Sequence, residues 1–266
     1  MLSALHFMMM RFWPSRSPGR YRTRGIVVRG SDPLLPAYVG PDAEQVPALM
    51  GDLVDWLNDG DLDAPVLVRA AMAHLNLVRV HPWRDGNGRM SRCLQTLVIA
   101  RAGRLAPEFC SIEEWLGFEI NTLDYYRALR DTGATYNPEI DAHAWVRFCL
   151  RAHHLQAQVV DRRLRYGEAV WIALADLGRA KGLHERAVAA LYAAVTDQLR
   201  REVYAAEEGL SRDQSVRDIR GIERAGLVEP VGYGATLAYV AAGEARAVGE
   251  RIAAELTAPA TEPYPN

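Results

Sequence analysis

Lysine is nearly missing from this sequence, since Lys181 is the only lysine among 31 basic residues. The glycine-rich loop GxxxxGK[ST], in which a lysine contacts phosphate, is therefore excluded. Cysteine is also scarce, and Cys93, Cys110 and Cys149 form no CxxC pair. An odd number of scattered cysteines argues against a disulfide framework. It is typical of a reducing cytoplasm, where we expect the protein to lie.

Long hydrophobic runs are absent as well. The first ten residues are apolar, but they are too few for a membrane span and lack both a basic segment and a clear cleavage site. We expect no membrane partner and interpret this stretch as the end of a helix. The net charge of -2 argues against a generally basic nucleic-acid binder, although a local basic face is compatible with it.

The most informative segment runs from His81 to Arg92 and reads HPWRDGNGRMSR. Its alternating glycines can aim backbone N–H groups at an anion, and a helix that begins there adds the positive end of its dipole. Arg89 and Arg92 are three residues apart, so they share one face of that helix. Apolar stretches over residues 65–78 and 93–103 predict a buried helix on each side. The segment is therefore predicted to hold a polyphosphate.

This segment resembles the motif of the Fic proteins, HxFx(D/E)GNGRxxR, at every position except Trp83, where the family has phenylalanine. The resemblance extends upstream to Pro18–Thr23, which is similar to the start of the family's flap hairpin, and downstream to Trp115 and the tyrosine pair at 125 and 126. It covers roughly the first half of the chain. It implies a mainly α fold, in which a Fic-type helix bundle carries a small β-hairpin flap.

Fic enzymes mostly transfer AMP from ATP to a Ser, Thr or Tyr hydroxyl of a target protein. The resemblance implies that ATP is the co-substrate, that His81 is the general base and that Asp85 binds Mg²⁺. The nucleotide-binding residues it implies are Gly86, Asn87, Gly88, Arg89, Arg92, Tyr125 and Tyr126. Simpler alternatives stay open: His81 can be structural, Asp85 can only cap the helix, and Arg92 can face solvent. The two tyrosines can equally pack in the core.

The flap prediction depends on alternating polar and apolar residues over 21–28, ahead of the turn Gly30–Pro33. In the family this edge pairs with the backbone of the target, a general mode of peptide recognition. The resemblance therefore implies target-binding residues at Thr23, Arg24, Gly25 and Ile26. A plain structural hairpin is the alternative, because arginines along an exposed edge also discourage aggregation.

Regulation is a further expectation from the family, in which a helix with the pattern (S/T)xxxE(G/N) pairs its glutamate with the second motif arginine. Here only Thr135–Glu139 comes near that pattern, but Ile140 follows and Pro138 would break the helix. We therefore expect no inhibitory helix. The protein is expected to be either constitutively active or restrained by an inhibitory partner in trans.

The second half of the chain predicts further helices and a winged-helix-like module. We expect a Fic domain over 1–140 with its flap near 20–30, a helical linker over 141–180, a winged-helix-like domain over 181–256, and a disordered, proline-rich tail over 257–266. The recognition-helix residues would be Arg212, Gln214, Ser215 and Arg217. Between 211 and 232 the arginines are balanced by acidic residues, so a protein-binding or homodimer-forming module is nearly as well supported as a DNA-binding one.

Three functions are compatible with these patterns. The first is AMP transfer to a protein hydroxyl, and the second is Fic-type transfer of another group such as phosphate or UMP. The third is a DNA-binding regulator that uses its Fic domain as a nucleotide sensor. A zinc site is disfavoured, because His143, His153, His154 and His184 have no cysteine partners at zinc-binding spacing.

Overall fold

The chain divides into two compact units. The computed structural model describes residues 1–29, 36–103, 105–257 and 259–264, and the predicted turn Gly30–Pro33 lies outside them. The first unit comprises Met1–Val159 together with the C-terminal residues from Thr261, and the second comprises Val160–Ala260. The boundary between these two units lies inside a long helix, His143–Ala180.

The first unit is built mainly from helices, which confirms the predicted mainly α fold. Its elements are α1 (Leu2–Met10), β1 (Val27–Arg29), β2 (Pro36–Val39), α2 (Val46–Asp59), α3 (Val66–Val80), α4 (Asn87–Arg101), α5 (Glu113–Leu116), α6 (Glu119–Asp131) and the start of α7 (His143–Ala180). Strands β1 and β2 form an antiparallel hairpin in which Val28 pairs with Tyr38. The hairpin is thus present, but its first strand begins later than the alternation predicted.

Helices α3 and α4 form the centre of this unit and meet at the turn between His81 and Gly86. Apolar residues on α3 recur at helical spacing, at Ala73, Leu77 and Val80, and pack with the buried Trp83 in one core cluster. His81 ends α3 with φ +49°, and Gly86 precedes α4 with φ +81°. Two left-handed residues therefore bound the turn, which reverses the chain sharply between two buried helices.

The second unit contains the remainder of α7 followed by helices and one hairpin. Its further elements are α8 (Ala187–Thr196), α9 (Arg201–Glu207), α10 (Arg212–Arg224), β3 (Val228–Val231), β4 (Ala238–Ala241) and α11 (Gly243–Glu255). Helix α10 begins with a capping box between Ser211 and Gln214. Asp218 on α10 accepts hydrogen bonds from Arg186 and from the Tyr204 hydroxyl, which ties three helical segments together.

Part of the C-terminal tail contacts helix α7. Glu262 accepts two hydrogen bonds from Arg151 on α7, and Thr261 contacts His154 and Gln158. This bidentate ion pair joins the tail to a helix more than 100 residues away in the sequence. Within the described ranges, no helix combines the length and apolar character that crossing a membrane requires.

Candidate functional site

His81 is held in one tautomer at the end of α3. Its Nδ1–H donates to the Val78 carbonyl at 3.0 Å, which leaves Nε2 as the unprotonated nitrogen. Burial lowers the pKa of His81, and the nearby Arg22 guanidinium adds to this, against the opposing effects of the Val78 hydrogen bond and Asp85. The imidazole is therefore neutral near pH 7 and has a free acceptor, as a general base requires.

Asp85 and Gly86 form the start of the motif helix. Asp85 Oδ1 accepts from the Gly86 N–H at 2.6 Å, and its carboxylate lies 3.4 Å from Arg16 Nε and 3.8 Å from an Arg89 nitrogen. The carboxylate is half-exposed. The capping role and a ligand role are thus compatible, since one oxygen faces the backbone while the group stays accessible.

The side chain of Asn87 stabilises the turn through hydrogen bonds to the Trp83 backbone. It is buried, accepts from the Trp83 N–H at 2.9 Å through Oδ1, and donates to the Trp83 carbonyl at 2.8 Å through Nδ2. Its side chain therefore supports the turn and does not reach outward. The N–H groups of the first turn of α4 have no acceptor within the helix, which is the arrangement that binds anions.

The two motif arginines have different surroundings. The Arg89 guanidinium lies 5.9 Å from the centre of the Trp13 ring and is half-exposed. The side chain of Arg92 is only 22% exposed, and its Nε donates a hydrogen bond to Glu113. Arg92 therefore does not simply face solvent, and the positive charge at the helix face is partly neutralised within the chain.

The predicted tyrosine pair separates into one core residue and one surface residue. Tyr125 is 3% exposed and Tyr126 is 61% exposed. The Tyr125 hydroxyl donates to His74 Nε2 at 3.1 Å, because His74 Nδ1–H donates to Gln95 at 2.6 Å. The core-packing alternative thus describes the ring of Tyr125, which also lies 5.9 Å from the Arg92 guanidinium.

The chain of hydrogen bonds that includes Tyr125 continues to His153. Gln95 Nε2 donates to His153 Nε2 at 2.8 Å, and burial lowers the pKa of His153 to about 4 and that of His74 to about 3. His143 is exposed, and His154 contacts the tail. The part of the chain that the structure describes holds no group of three metal-ligating side chains.

The predicted target-binding residues directly precede β1. Thr23, Arg24 and Gly25 are exposed, and Ile26 is half-buried. The Ile26 carbonyl accepts from the Gly40 N–H at 3.1 Å, so this segment continues along the hairpin edge. The flap interpretation requires an exposed edge for the target, and three of these four residues are exposed.

Residues 1–99 match the model of the Fic/DOC family. This region is similar to a Fic/DOC domain. The chain is 45% identical over 86 residues to a protein named protein adenylyltransferase fic-1 from Caenorhabditis elegans, and 42% identical over 87 residues to protein adenylyltransferase Fic from Aedes aegypti. Each alignment covers 32% of this chain and 16% of the relative's own length.

One solved structure extends the similarity beyond the Fic domain. A Fic family protein from Desulfovibrio desulfuricans is 26% identical, with a TM-score of 0.51. The alignment covers 91% of this chain and 68% of that one. Helices of the second unit thus have counterparts in a Fic family protein, which the sequence motif alone did not indicate.

Three residues that contact the motif were not predicted from the sequence. Arg22, interpreted as one of the edge arginines, is buried. His6, with no motif to mark it, stacks on Trp83 at 4.4 Å, accepts from the Gly19 N–H and donates to the Asp85 carbonyl at 3.0 Å. The third is Glu113, which follows the motif by 21 residues. Local pattern carries no signal for such distant contacts.

The recognition-helix prediction on α10 needs one correction. Ser215 is fully buried and its hydroxyl donates to the Arg212 carbonyl, so it is unable to meet a base. Arg212 and Arg217 are exposed, whereas Gln214 is engaged in the capping box. The exposed groove along α10 is lined by Asp213, Val216, Arg217, Arg220, Glu223 and Arg224. Its charges are mixed, as the sequence indicated.

Proposed function

We propose that the protein is an adenylyltransferase that moves AMP from ATP to a Ser, Thr or Tyr hydroxyl of a target protein. The observation that carries this proposal is the turn between α3 and α4, which combines a neutral His81 with a free Nε2, the half-exposed carboxylate of Asp85 and an anion-binding helix start. The chain spans 16% of the length of the curated relatives, so their names support the chemistry of this domain only.

The reaction needs no covalent enzyme intermediate. His81 Nε2 accepts the proton of the target hydroxyl while the hydroxyl oxygen attacks the α-phosphorus of ATP. The bond between the α-phosphorus and its bridging oxygen breaks, and pyrophosphate leaves. The N–H groups at the start of α4, together with Arg89 and Arg92, stabilise the negative charge on the phosphates.

Asp85 fits a magnesium ligand. A carboxylate oxygen is a hard donor, and Mg²⁺ in phosphate-transfer sites is commonly held by one or two carboxylates plus the phosphates themselves. Because Arg16 and Arg89 lie near the carboxylate, binding of the ion would exchange these weak pairs for a stronger one. When bound, the ion would neutralise phosphate charge and orient the leaving pyrophosphate.

The target is proposed to lie along Thr23, Arg24, Gly25 and Ile26. Thr23, Arg24 and Gly25 are exposed, which supports the approach of an extended peptide to this segment. An inhibitory partner, a homodimer and a cytoplasmic location stay predictions of the sequence.

The experiment is to incubate the purified protein with Mg²⁺, lysate and ATP labelled at the α- or the γ-phosphate, with His81→Ala as the matched control. Label from the α-position that enters protein only with intact His81 supports AMP transfer. Label from the γ-position alone indicates phosphate transfer instead. If neither label enters protein, the proposal that ATP is the co-substrate fails. Labelled UTP then tests UMP transfer.

A DNA-binding regulator is the second candidate, because Arg217, Arg220 and Arg224 all line the exposed groove of α10. In the second unit, Leu199 pairs with Tyr239 beside the β3–β4 hairpin, an arrangement that supports the winged-helix interpretation. A salt-dependent footprint that His81→Ala leaves intact would favour this function.

A further inference from the structure

Arg22 is a buried arginine whose partners are main-chain carbonyls. Only 8% of its surface is exposed. Nε donates to the His81 carbonyl at 2.8 Å and Nη1 to the Arg24 carbonyl at 2.9 Å. Nη2 donates to Pro41 at 2.6 Å and, more weakly, to Val80 at 3.4 Å. All four acceptors that the described residues provide are backbone oxygens.

These acceptors belong to three different segments of the site. The carbonyls of Val80 and His81 are at the C-terminal end of α3, where a guanidinium also interacts favourably with the helix dipole. The Arg24 carbonyl precedes β1, and the Pro41 carbonyl follows β2. One planar side chain therefore joins both ends of the hairpin to the residue that carries the general base.

The fork geometry explains why arginine is needed here. A guanidinium presents five N–H donors in one rigid plane, whereas a lysine ammonium is a flexible point charge. His81 adopts φ +49°, a conformation that is uncommon for a residue with a side chain. The Arg22 bond to its carbonyl, together with the Val78 bond to its ring, holds it there.

We infer that Arg22 is a positioning residue, which fixes His81 relative to the hairpin edge so that a hydroxyl held at that edge meets Nε2. This inference rests on the proposed AMP transfer. Arg22 touches neither the phosphate-binding residues of α4 nor Asp85 among its hydrogen-bond partners. It therefore acts on target placement and not on nucleotide binding.

The test compares Arg22→Met, which keeps most of the side-chain length without donors, with Arg22→Lys, which keeps the charge. The matched control is Arg20→Met, the same change at an exposed position two residues earlier. In Arg22→Met we expect kcat to fall by about 10- to 100-fold, because small misplacement of a reacting group has effects of that size. The KM for the target rises, the KM for ATP stays unchanged, and Arg22→Lys is intermediate.

Hydrogen exchange supplies a readout that does not depend on activity. The N–H groups of Val39 and Gly40, which bond to Ala134 and Ile26, should exchange faster in Arg22→Met, while those within α4 should not. Arg20→Met should match the unmodified protein in both experiments. If Arg22→Met does not fold, Arg22→Lys decides the question through the same two measurements.

Wild-type kcat in a folded Arg22 variant would overturn the inference. So would a rise in the KM for ATP that parallels the loss of kcat, since that would indicate general damage to the site. If the unmodified protein transfers no AMP, the proposed function fails instead. In that case unchanged exchange at Val39 and Gly40 in Arg22→Met would also overturn the connection between hairpin and His81.

Discussion

Arg92 Nε donates a hydrogen bond to the carboxylate of Glu113, the first residue of α5. A phosphate oxygen that binds Arg92 must compete with this carboxylate. The sequence predicts no inhibitory helix, and the segment nearest to that pattern is Thr135–Glu139. Glu113 does not belong to that segment but to α5, which follows the motif helix. Competition from Glu113 within the same chain is therefore an alternative to constitutive activity or restraint by a partner.

Replacing Glu113 with glutamine should increase activity at low ATP. The change removes the negative charge that competes with phosphate but keeps the size of the side chain. Because Glu113 is largely exposed, its pair with Arg92 is worth at most about 1 kcal/mol, so we expect the KM for ATP to fall by about two- to fivefold. Initial rates of AMP transfer measured against ATP concentration check this.

Glu119→Gln is the control, since Glu119 is exposed in the first turn of α6 and has the same charge. An equal effect of both changes would mean that net charge, and not the Arg92 contact, sets the KM. An unchanged KM in Glu113→Gln would leave constitutive activity and restraint by a partner in trans as the two explanations.

The pH dependence of transfer should report the buried state of His81. Its pKa lies below the ordinary 6.5, chiefly through burial, so the neutral base persists to lower pH than a free histidine would allow. We expect kcat/KM for ATP, which reports the free enzyme, to rise with pH along a limb whose midpoint lies below 6.5. A midpoint at or above that value would contradict the role of burial.

Trp83 should tolerate phenylalanine, the residue of the family motif. Its ring is fully buried against His6, and its indole N–H has no partner among the described residues. Phenylalanine removes that unsatisfied donor but leaves a small void, so the free energy of unfolding should change by less than about 1.5 kcal/mol. Trp83→Ala should cost about 3–5 kcal/mol. Urea unfolding followed by circular dichroism measures both, and equal losses would contradict this account.

Stability should fall in acid because of two buried histidines. The pKa values of His74 and His153 are about 3 and about 4, whereas the ordinary value is 6.5, so below that pH the unfolded chain binds protons that the folded one does not. Each histidine should therefore lower the free energy of unfolding by about 1.4 kcal/mol per pH unit as the pH falls from 6.5 towards its folded pKa.

His153→Gln tests this effect, since the amide oxygen can accept from Gln95 without titrating. In His153→Gln we expect the urea midpoint to change less with pH, because one of the two buried histidines no longer titrates. His143→Gln, at an exposed position on the same helix, should leave the slope unchanged. If the urea midpoint depends on pH as steeply in His153→Gln as in the unmodified protein, other groups cause the acid sensitivity.

The sequence predicted what depends on neighbouring residues. The apolar periodicity around His81–Arg92 indicated two buried helices, and the motif indicated the turn between them and the resemblance to the Fic family. It did not predict the partners of Arg92 or Asp85, because Glu113 and His6 approach from 21 and 79 residues away. The start of β1 was missed for the same reason, because alternation carries no information on tertiary contacts. The winged-helix interpretation of the second unit stays a prediction.

The conformation of the turn at Gly86 also depends on residues that are distant in the sequence. A β-carbon there would lie 3.1 Å from Met10 Sδ and 3.4 Å from His6 Nε2, and its φ of +81° already favours glycine. The motif turn is therefore shaped by side chains of α1. Across relatives of this chain, positions 6 and 10 should covary with the geometry of the turn, so that grafting the motif into another scaffold would require grafting α1 as well.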